Sequence, residues 1–546
     1  MSTTGESQDI EQATSAVTDA PDNKTRRYDR QLRLWAASGQ SALESSRILV
    51  LSSSATATAI LKNLVLPGIG HFTLLDSAIA TAADAGNNFF LNAQESIGKP
   101  RAKEALPLLR ELNDSVDGEA VLTDVKELLK TEEGRETIRS FSLVIAHNLD
   151  KDVLDELAGL LWADLTNPPL IAVRSAGFLA EFYTQFHEHC VSQPHTDGTP
   201  SLRITRPFPE LLQWARELDF DNVDPTTHAH IPFVVILVRA VDEWRAKHDD
   251  RLPITPAEKN DFKAQVRAMK RKLDEENFDE AEAQAWRVWF EPAVPSEIAA
   301  LFTLPPLEAP ASSTKTGADL PPSPNPAFHA LLRTLNTFVG SPGGPGCLPL
   351  SAALPDMRTD TESYVKLQNL YRDRARKEKE HFTELLTDIF PNVAQEINEE
   401  ELDTFLKNSH QLRVLRGRKW GEWDKDKAAV VESLQISPRE TGTHLALTAL
   451  STLLSQTPDG SSVTVDALRA EVHALVGKDV ELPEEAELAI GELARSPTAE
   501  LPNTAAFLGG MVAQEAIKMI TRQYVPVNGY CVVDLIDSTT GVVGTP

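Results

Sequence analysis

"ILVLSSSATATAILKNLVLPGIG", Ile48 to Gly70, decides how the rest of the chain is read. Ile48 to Leu51 have the character of a buried strand. A turn of small residues follows, then an amphipathic run closed by Pro67-Gly68, then a second strand, "HFTLLD", ending in Asp76. Strand, tight turn, helix and strand in that order open a dinucleotide-binding fold. Its turn reads G-x-G-x-x-G, so that bare backbone can approach phosphate at a helix N-terminus. Here the three glycine positions hold Ser52, Ser54 and Ala57. A Cβ at each crowds a phosphate and disfavours positive φ. The frame of a nucleotide fold is present; its turn reads as one that still packs strand to helix but has lost phosphate binding, the alternative being serines that cradle a phosphate.

Outward from this stretch, strands alternate with helices to about residue 182. "IGKPRAKEALPLLRELN" from Ile97 reads as a helix, "SFSLVIAHNL" (Ser140 to Leu149) as a strand, "LDELAGLLWADL" as a helix, and "PLIAVRSAGFLAEF" (Pro169 to Phe182) as strand-turn-strand. That alternation predicts a parallel α/β sheet. Upstream, Arg26 to Ser46 has helical character. From about 185 to 490 most segments have helical periodicity. "TPAE" (Thr255 to Glu258) and "SPRE" (Ser437 to Glu440) each predict a helix start, with a hydroxyl N-cap, proline at the first position and glutamate at the third. Leu304 to Pro326 reads as a Pro/Ser/Ala linker. At the end, "PNTAAFLGGMVAQEAIKMITRQ" (Pro502 to Gln523) predicts a helix with a small-residue face at Gly509, Gly510 and Ala513, and "GYCVVDLID" a strand. The expected organisation is a disordered tail at 1–25, the first part of an α/β domain at 26–184, a mainly helical insert at 185–490, and the return of the α/β domain at 491–546.

The totals bound the function. The 546 residues are 41% hydrophobic and carry a formal charge of −27, which argues against nucleic acid or an anionic membrane as a partner. The longest apolar run, Ile231 to Val238, is too short to span a bilayer, and the polar, acidic N-terminal stretch is not a signal peptide. Three cysteines, Cys190, Cys347 and Cys531, make neither a disulfide framework nor a zinc knuckle, and point to a reducing compartment.

"RYDRQLRLW" (Arg27 to Trp35), "LKNLVLPGIGHFTLLD", "DAGNNFFL" (Asp84 to Leu91), "IGKPRAKEA" and the closing "AAFLGGMVAQEAIK" resemble the adenylation module of ubiquitin-like-modifier activating enzymes, in that family's order and near its spacing. Within the insert, "LRITRPFPEL", "LPLSAALPDM" (Leu348 to Met357) and "YVKLQNLYRDRARK" (Tyr364 to Lys377) resemble the non-catalytic, regulatory-subunit family of the neddylation activating enzyme. The resemblance implies a Rossmann-like, ThiF-type fold interrupted by an insert like a catalytic-cysteine domain without its cysteine. It implies a heterodimer with a catalytic subunit, in the cytoplasm or nucleus. That subunit holds ATP and magnesium, adenylates a ubiquitin-like modifier and carries it as a thioester. This chain is expected to bind no cofactor or metal, and to be inactive alone.

The resemblance also assigns residues. Asn88 stands where active relatives carry a phosphate-neutralising arginine, and Lys99 matches the family's lysine, its other reading being a lysine that opens a solvated helix. Asp76 matches the acid that would bind a ribose hydroxyl; its other reading is a structural cap. The family's metal-proximal aspartate falls near Leu149, with Asp150 one residue away. Arg30 matches an arginine that reaches across the dimer into the partner's ATP site, where positive charge meets the developing negative charge. A helix-surface arginine is its alternative reading. Cys190 lies among His187, His189 and His195, which raises Cys-His chemistry, but the spacing fits no standard zinc pattern and the resemblance puts the thioester cysteine in the partner. The rivals are the small subunit of the sumoylation activating enzyme, opposed by the long insert and lost glycines; a nicotinamide-dependent oxidoreductase, opposed by the same glycines; and a scaffold with no part in activation.

Overall fold

The computed structural model describes residues 23–195, 201–305, 307, 322–341 and 345–546. The expected tail up to residue 22 and most of the expected linker at 304–326 lie outside the described residues.

After helix α1 (Asp29–Glu44), strands β1 (Arg47–Leu51), β2 (His71–Leu75), β3 (Asp117–Val121), β4 (Leu143–His147), β5 (Leu170–Ala176) and β6 (Leu179–Gln185) build most of one sheet. Helices α2 (Ala55–Val65), α3 (Arg101–Arg110) and α4 (Lys151–Trp162) connect them. A two-stranded ribbon, β7 (Glu188–Val191) with β8 (Arg413–Arg416), stands apart. Between its strands come α5 (Phe233–Lys247), α6 (Pro256–Ala268), α7 (Pro326–Gly340) and the long α8 (Thr361–Ile389). Then follow α9 (Pro438–Gln456), α10 (Glu484–Arg495), α11 (Pro502–Thr521), β9 (Tyr530–Asp534) and β10 (Thr539–Val543).

The sheet runs β10-β9-β6-β5-β4-β1-β2-β3. β3, β2, β1, β4 and β5 are parallel, and β6, β9 and β10 add antiparallel partners. Strand order therefore reverses between β1 and β4, and the crevice beyond their C-terminal ends is where a doubly wound sheet holds its ligand. Alternation along each strand serves two cores. Ile48, Val50, Leu143 and Ile145 pack with Ile60 and Leu64 of α2, Leu109 of α3 and Leu508 and Val512 of α11. Leu49, Leu51, Val144 and Ala146 pack with Leu157 of α4, Leu450 of α9 and Ile490 of α10. Burial on both faces is why these strands read as continuous apolar runs. Although α9 and α10 follow the insert's other helices in the chain, their apolar sides cover the sheet.

The rest of the insert has two cores of its own. α8 joins them: Leu367 and Tyr371 pack with Phe233 and Phe262, and Phe382 and Leu386 with Phe328 and Leu335. At about 1.5 Å per residue its 29 residues reach some 44 Å, long enough to serve both. The Thr255–Glu258 capping box forms as expected. The helix start at Ser437 and Pro438 also forms as expected, but without a capping box: the Ser437 side chain makes no cap bond, and its amide, the group Glu440 would have to reach, closes the preceding helix on Ser433 O at 2.7 Å. The Arg26–Ser46 stretch is also broken, with non-helical backbone at Trp35 and Ala36 (φ 56°). Gln523, at the end of α11, donates to the freed Trp35 carbonyl at 2.8 Å and holds the break. No helix among the described residues is long and apolar enough to cross a membrane.

Candidate functional site

The crevice between β1 and β4 is lined by the turn Ser52–Ser54, the first turn of α2, His147 at the end of β4, and Glu500 just ahead of α11. Ser54 caps α2: its Oγ accepts from Ala57 N at 3.1 Å. With that lone pair used, the hydroxyl is free to donate to His147 Nδ1 at 2.7 Å, and His147 Nε2–H then donates to Ser175 Oγ at 2.9 Å. The serine that replaces a glycine has become part of a buried network, which is why the turn still joins strand to helix without one.

The α2 amides face an anion all the same. Glu500 Oε1 accepts from Thr56 N at 2.7 Å. Main-chain contacts hold Glu500 there: it bridges Gly177, the turn residue between β5 and β6, whose amide bonds Ala499 O at 2.8 Å and whose carbonyl accepts from Thr504 Oγ1 at 2.8 Å. Burial works against an ionised Glu500, but the His147 ring and the α2 amides overcome it and hold the carboxyl below its usual range. Burial also pushes His147 down, with the Glu500 carboxylate working against that. A carboxylate satisfies a helix N-terminus as a phosphate would.

The other expected positions are engaged in the same way. Asn88 is buried; its Nδ2 donates to Ser53 O at 3.0 Å, and its Oδ1 accepts from Thr58 Oγ1 and Phe90 N, both at 2.9 Å. It ties the turn to α2 and presents no charge. Asp76 accepts from Ser53 N at 2.8 Å and Ala78 N at 2.9 Å, and pairs with Arg101 Nε at 2.9 Å. Arg101 also pairs with Asp84 at 2.8 Å. Lys99 points elsewhere, half-exposed and 3.5 Å from Glu104. Asp150 opens α4 without a side-chain cap bond.

Arg30 lies outside the crevice, on α1. Tyr28 anchors its motif: the ring is buried over Gly68 (φ 90°), where a Cβ would stand 2.6 Å from the hydroxyl, and that hydroxyl accepts from Asn113 Nδ2 at 2.9 Å. Arg27 pairs with Asp114 and Arg33 with Asp29. Arg30 is exposed and makes no ion pair with any described residue. Cys190 is buried, and burial, with Glu188 beside it, pushes its thiol well up, the reverse of an activated nucleophile. Of its expected neighbours, His187 stacks on Trp162 and His195 on Tyr524.

Sequence reasoning missed Glu500 and Arg101. Arg101 stands inside the quoted "IGKPRAKEA", two residues past the lysine that drew the eye. Glu500 carried one signal, an acid immediately before the closing helix, and nothing in its neighbourhood tied it to a turn some 440 residues earlier.

The ThiF family matches residues 28–543. The chain is 34% identical over 526 residues to the NEDD8-activating enzyme E1 regulatory subunit of Xenopus laevis, covering 92% of this chain and 96% of that one. It is 32% identical over 531 residues to the NEDD8-activating enzyme E1 regulatory subunit AXL of Arabidopsis thaliana, covering 94% and 97%. The regulatory subunit of Saccharomyces cerevisiae is 26% identical over 510 residues, covering 92% and 96%. Among solved structures, selenomethionine PaaA matches at 16% identity and a TM-score of 0.25, over 31% of this chain and 53% of that one.

Proposed function

The chain belongs to the ThiF family and, within it, to the NEDD8-activating enzyme E1 regulatory subunits, and from that premise we propose that it performs no adenylation itself. It is the non-catalytic half of a heterodimer whose other subunit binds ATP and magnesium, adenylates the ubiquitin-like modifier and carries it as a thioester. The observation that carries this reading is the filled crevice: Glu500 sits 2.7 Å from the Thr56 amide, where a phosphate would have to enter. A nucleotide would have to displace a carboxylate bound to the same amides, with Asp76 already paired to Arg101 and no cation at Asn88. An ATP-bound magnesium does not fit this chain's crevice for the same reason, since its phosphates have no cradle. Pairing with a partner is supported by large apolar side chains left exposed on the α/β part, among them Phe89 at 88%, Ile536 at 54% and Leu34 at 52%.

In the partner's reaction this chain supplies Arg30. Tyr28 and Arg27 fix the base of the motif, and the Arg30 guanidinium, with no ion pair among the described residues, meets a phosphate across the dimer.

The experiment is equilibrium binding of ATP to the purified heterodimer. One ATP per heterodimer is expected, with none bound by this chain in a sample free of partner. Two per heterodimer, or ATP–pyrophosphate exchange by this chain alone, would overturn the reading.

A further inference from the structure

The ribbon β7–β8 carries a second cluster, independent of the crevice. Glu188 and Cys190 are two apart on β7, so both face the same side. His329, from α7, packs onto that side. His329 Nε2 lies 2.7 Å from Glu188 Oε1, and Cys190 Sγ 3.9 Å from the same oxygen. One ligand atom from each of the three lies within 4.8 Å of the others, and all three residues are buried. Glu188 is the informative member. Its side chain is 0% exposed. Oε1 also accepts from Ser323 Oγ at 2.6 Å, while Oε2 is buried with no hydrogen-bond partner. The nearest cation to Oε2, Arg416 Nε at 3.6 Å, is likewise without a hydrogen bond, and the Arg416 fork is held by Pro305 O. Glu188, His329 and Arg416 border a cavity of about 120 Å³, and Glu188 and Cys190 also border an open cleft of about 780 Å³, which gives a path from solvent.

We propose that Glu188, Cys190 and His329 form a binding site for a zinc-type divalent cation. The donor set selects the class. A thiolate does not suit calcium or magnesium, whereas thiolate, imidazole and carboxylate together suit zinc or cobalt. Three protein ligands leave a fourth position for water, and the 120 Å³ cavity beside two of them, Glu188 and His329, has room for one. Binding releases the Cys190 proton to solvent and leaves His329 as its Nδ1–H tautomer, so that Nε2 can ligate. Thiolate and carboxylate then neutralise the dication, and Arg416 keeps Glu188 Oε2 as an outer partner. Arg522, which acts on Cys190, and Arg416 are opposing charges, and they set the affinity below that of a closed four-ligand site. The cation would clip α7 to β7, the strand by which the chain leaves the sheet for the insert.

The test uses the metal-free full-length chain alone, titrated with Co²⁺. One equivalent should produce thiolate-to-cobalt charge-transfer absorption, and added Zn²⁺ should abolish it. Cys190→Ser should remove the band, Cys347→Ser should keep it, and His329→Gln should weaken binding by at least about tenfold, the scale of losing one ligand-shell partner. A wild-type titration without thiolate absorption overturns the proposal whatever the variants do. A band that survives in folded Cys190→Ser, or vanishes in Cys347→Ser instead, overturns it as well.

Discussion

Among the residues, Glu500 and Arg30 carry opposite lessons. Glu500 is an anion brought inside to a site built for anions. Arg30 is a cation left outside while the arginines at 27 and 33 are paired within the chain. If Arg30 works across the dimer, Arg30→Ala should leave assembly intact and slow modifier adenylation by the heterodimer about a hundredfold, the scale of one lost electrostatic donor in a transition state. Arg33→Ala, whose only ion-pair partner among the described residues is Asp29 one turn away, is the control for damage to α1. Normal adenylation by an assembled Arg30→Ala heterodimer would leave the chain a scaffold.

Among the elements, the contact of α11 with α2 decides whether the crevice exists, because α11 begins two residues after Glu500 and packs along the helix whose N-terminus Glu500 caps. Its two adjacent glycines are not equivalent. A Cβ on Gly509 would stand 2.8 Å from the Ala59 carbonyl carbon and oxygen, while one on Gly510 would meet nothing within 4 Å. Gly509→Ala must therefore push the helices apart, at a cost of about 1–3 kcal/mol. Gly510→Ala should be neutral or stabilising by up to about 1 kcal/mol, since alanine is the better helix former. Chemical denaturation of the two variants checks the pair, and equal effects would mean that the small-residue face is not a packing surface.

Across the whole molecule, sheet and helical layer are joined by a buried ionic network. His444 of α9 lies between Glu181 of β6 at 2.8 Å and Asp424 at 2.9 Å. Arg174 of β5 also pairs with Glu181 and donates to Thr448 of α9 at 2.8 Å. Burial alone would push His444 down, but the two carboxylates overcome it and bring its pKa up from 6.5 to about 9. A raised folded-state value means that the protonated ring stabilises the fold fully below the unfolded pKa, and that this contribution fades as pH rises through about 9. The melting midpoint of wild type should therefore exceed that of His444→Gln most near pH 6.5, with the gap closing toward pH 9. A gap constant over that window would mean that the ring is neutral throughout.

The identity of the fold was legible because strands buried on both faces and helices closed by Gly68 write themselves into short windows of sequence. Those windows also drew attention to Ser52, Ser54, Ala57 and Asn88, because the expected chemistry at those positions is local. They also showed the capping box at Thr255, which needs only four neighbouring residues. They placed the helix start at Ser437 and Pro438 but not the missing side-chain cap there, and they missed the break at Trp35, held by a glutamine from the far end of the chain. Only the tertiary structure decided that Glu500 takes the α2 N-terminus, that Asp76 pairs with Arg101, that Arg30 has no ion pair among the described residues while Arg27 and Arg33 do, and that His329 and Cys190 meet at Glu188. All but the unpaired Arg30 bring together charged or hydrogen-bonding groups from separate segments. Such pairs leave no period in the sequence, because their partners are chosen by where the sheet and helices bring them and not by what lies beside them in the chain.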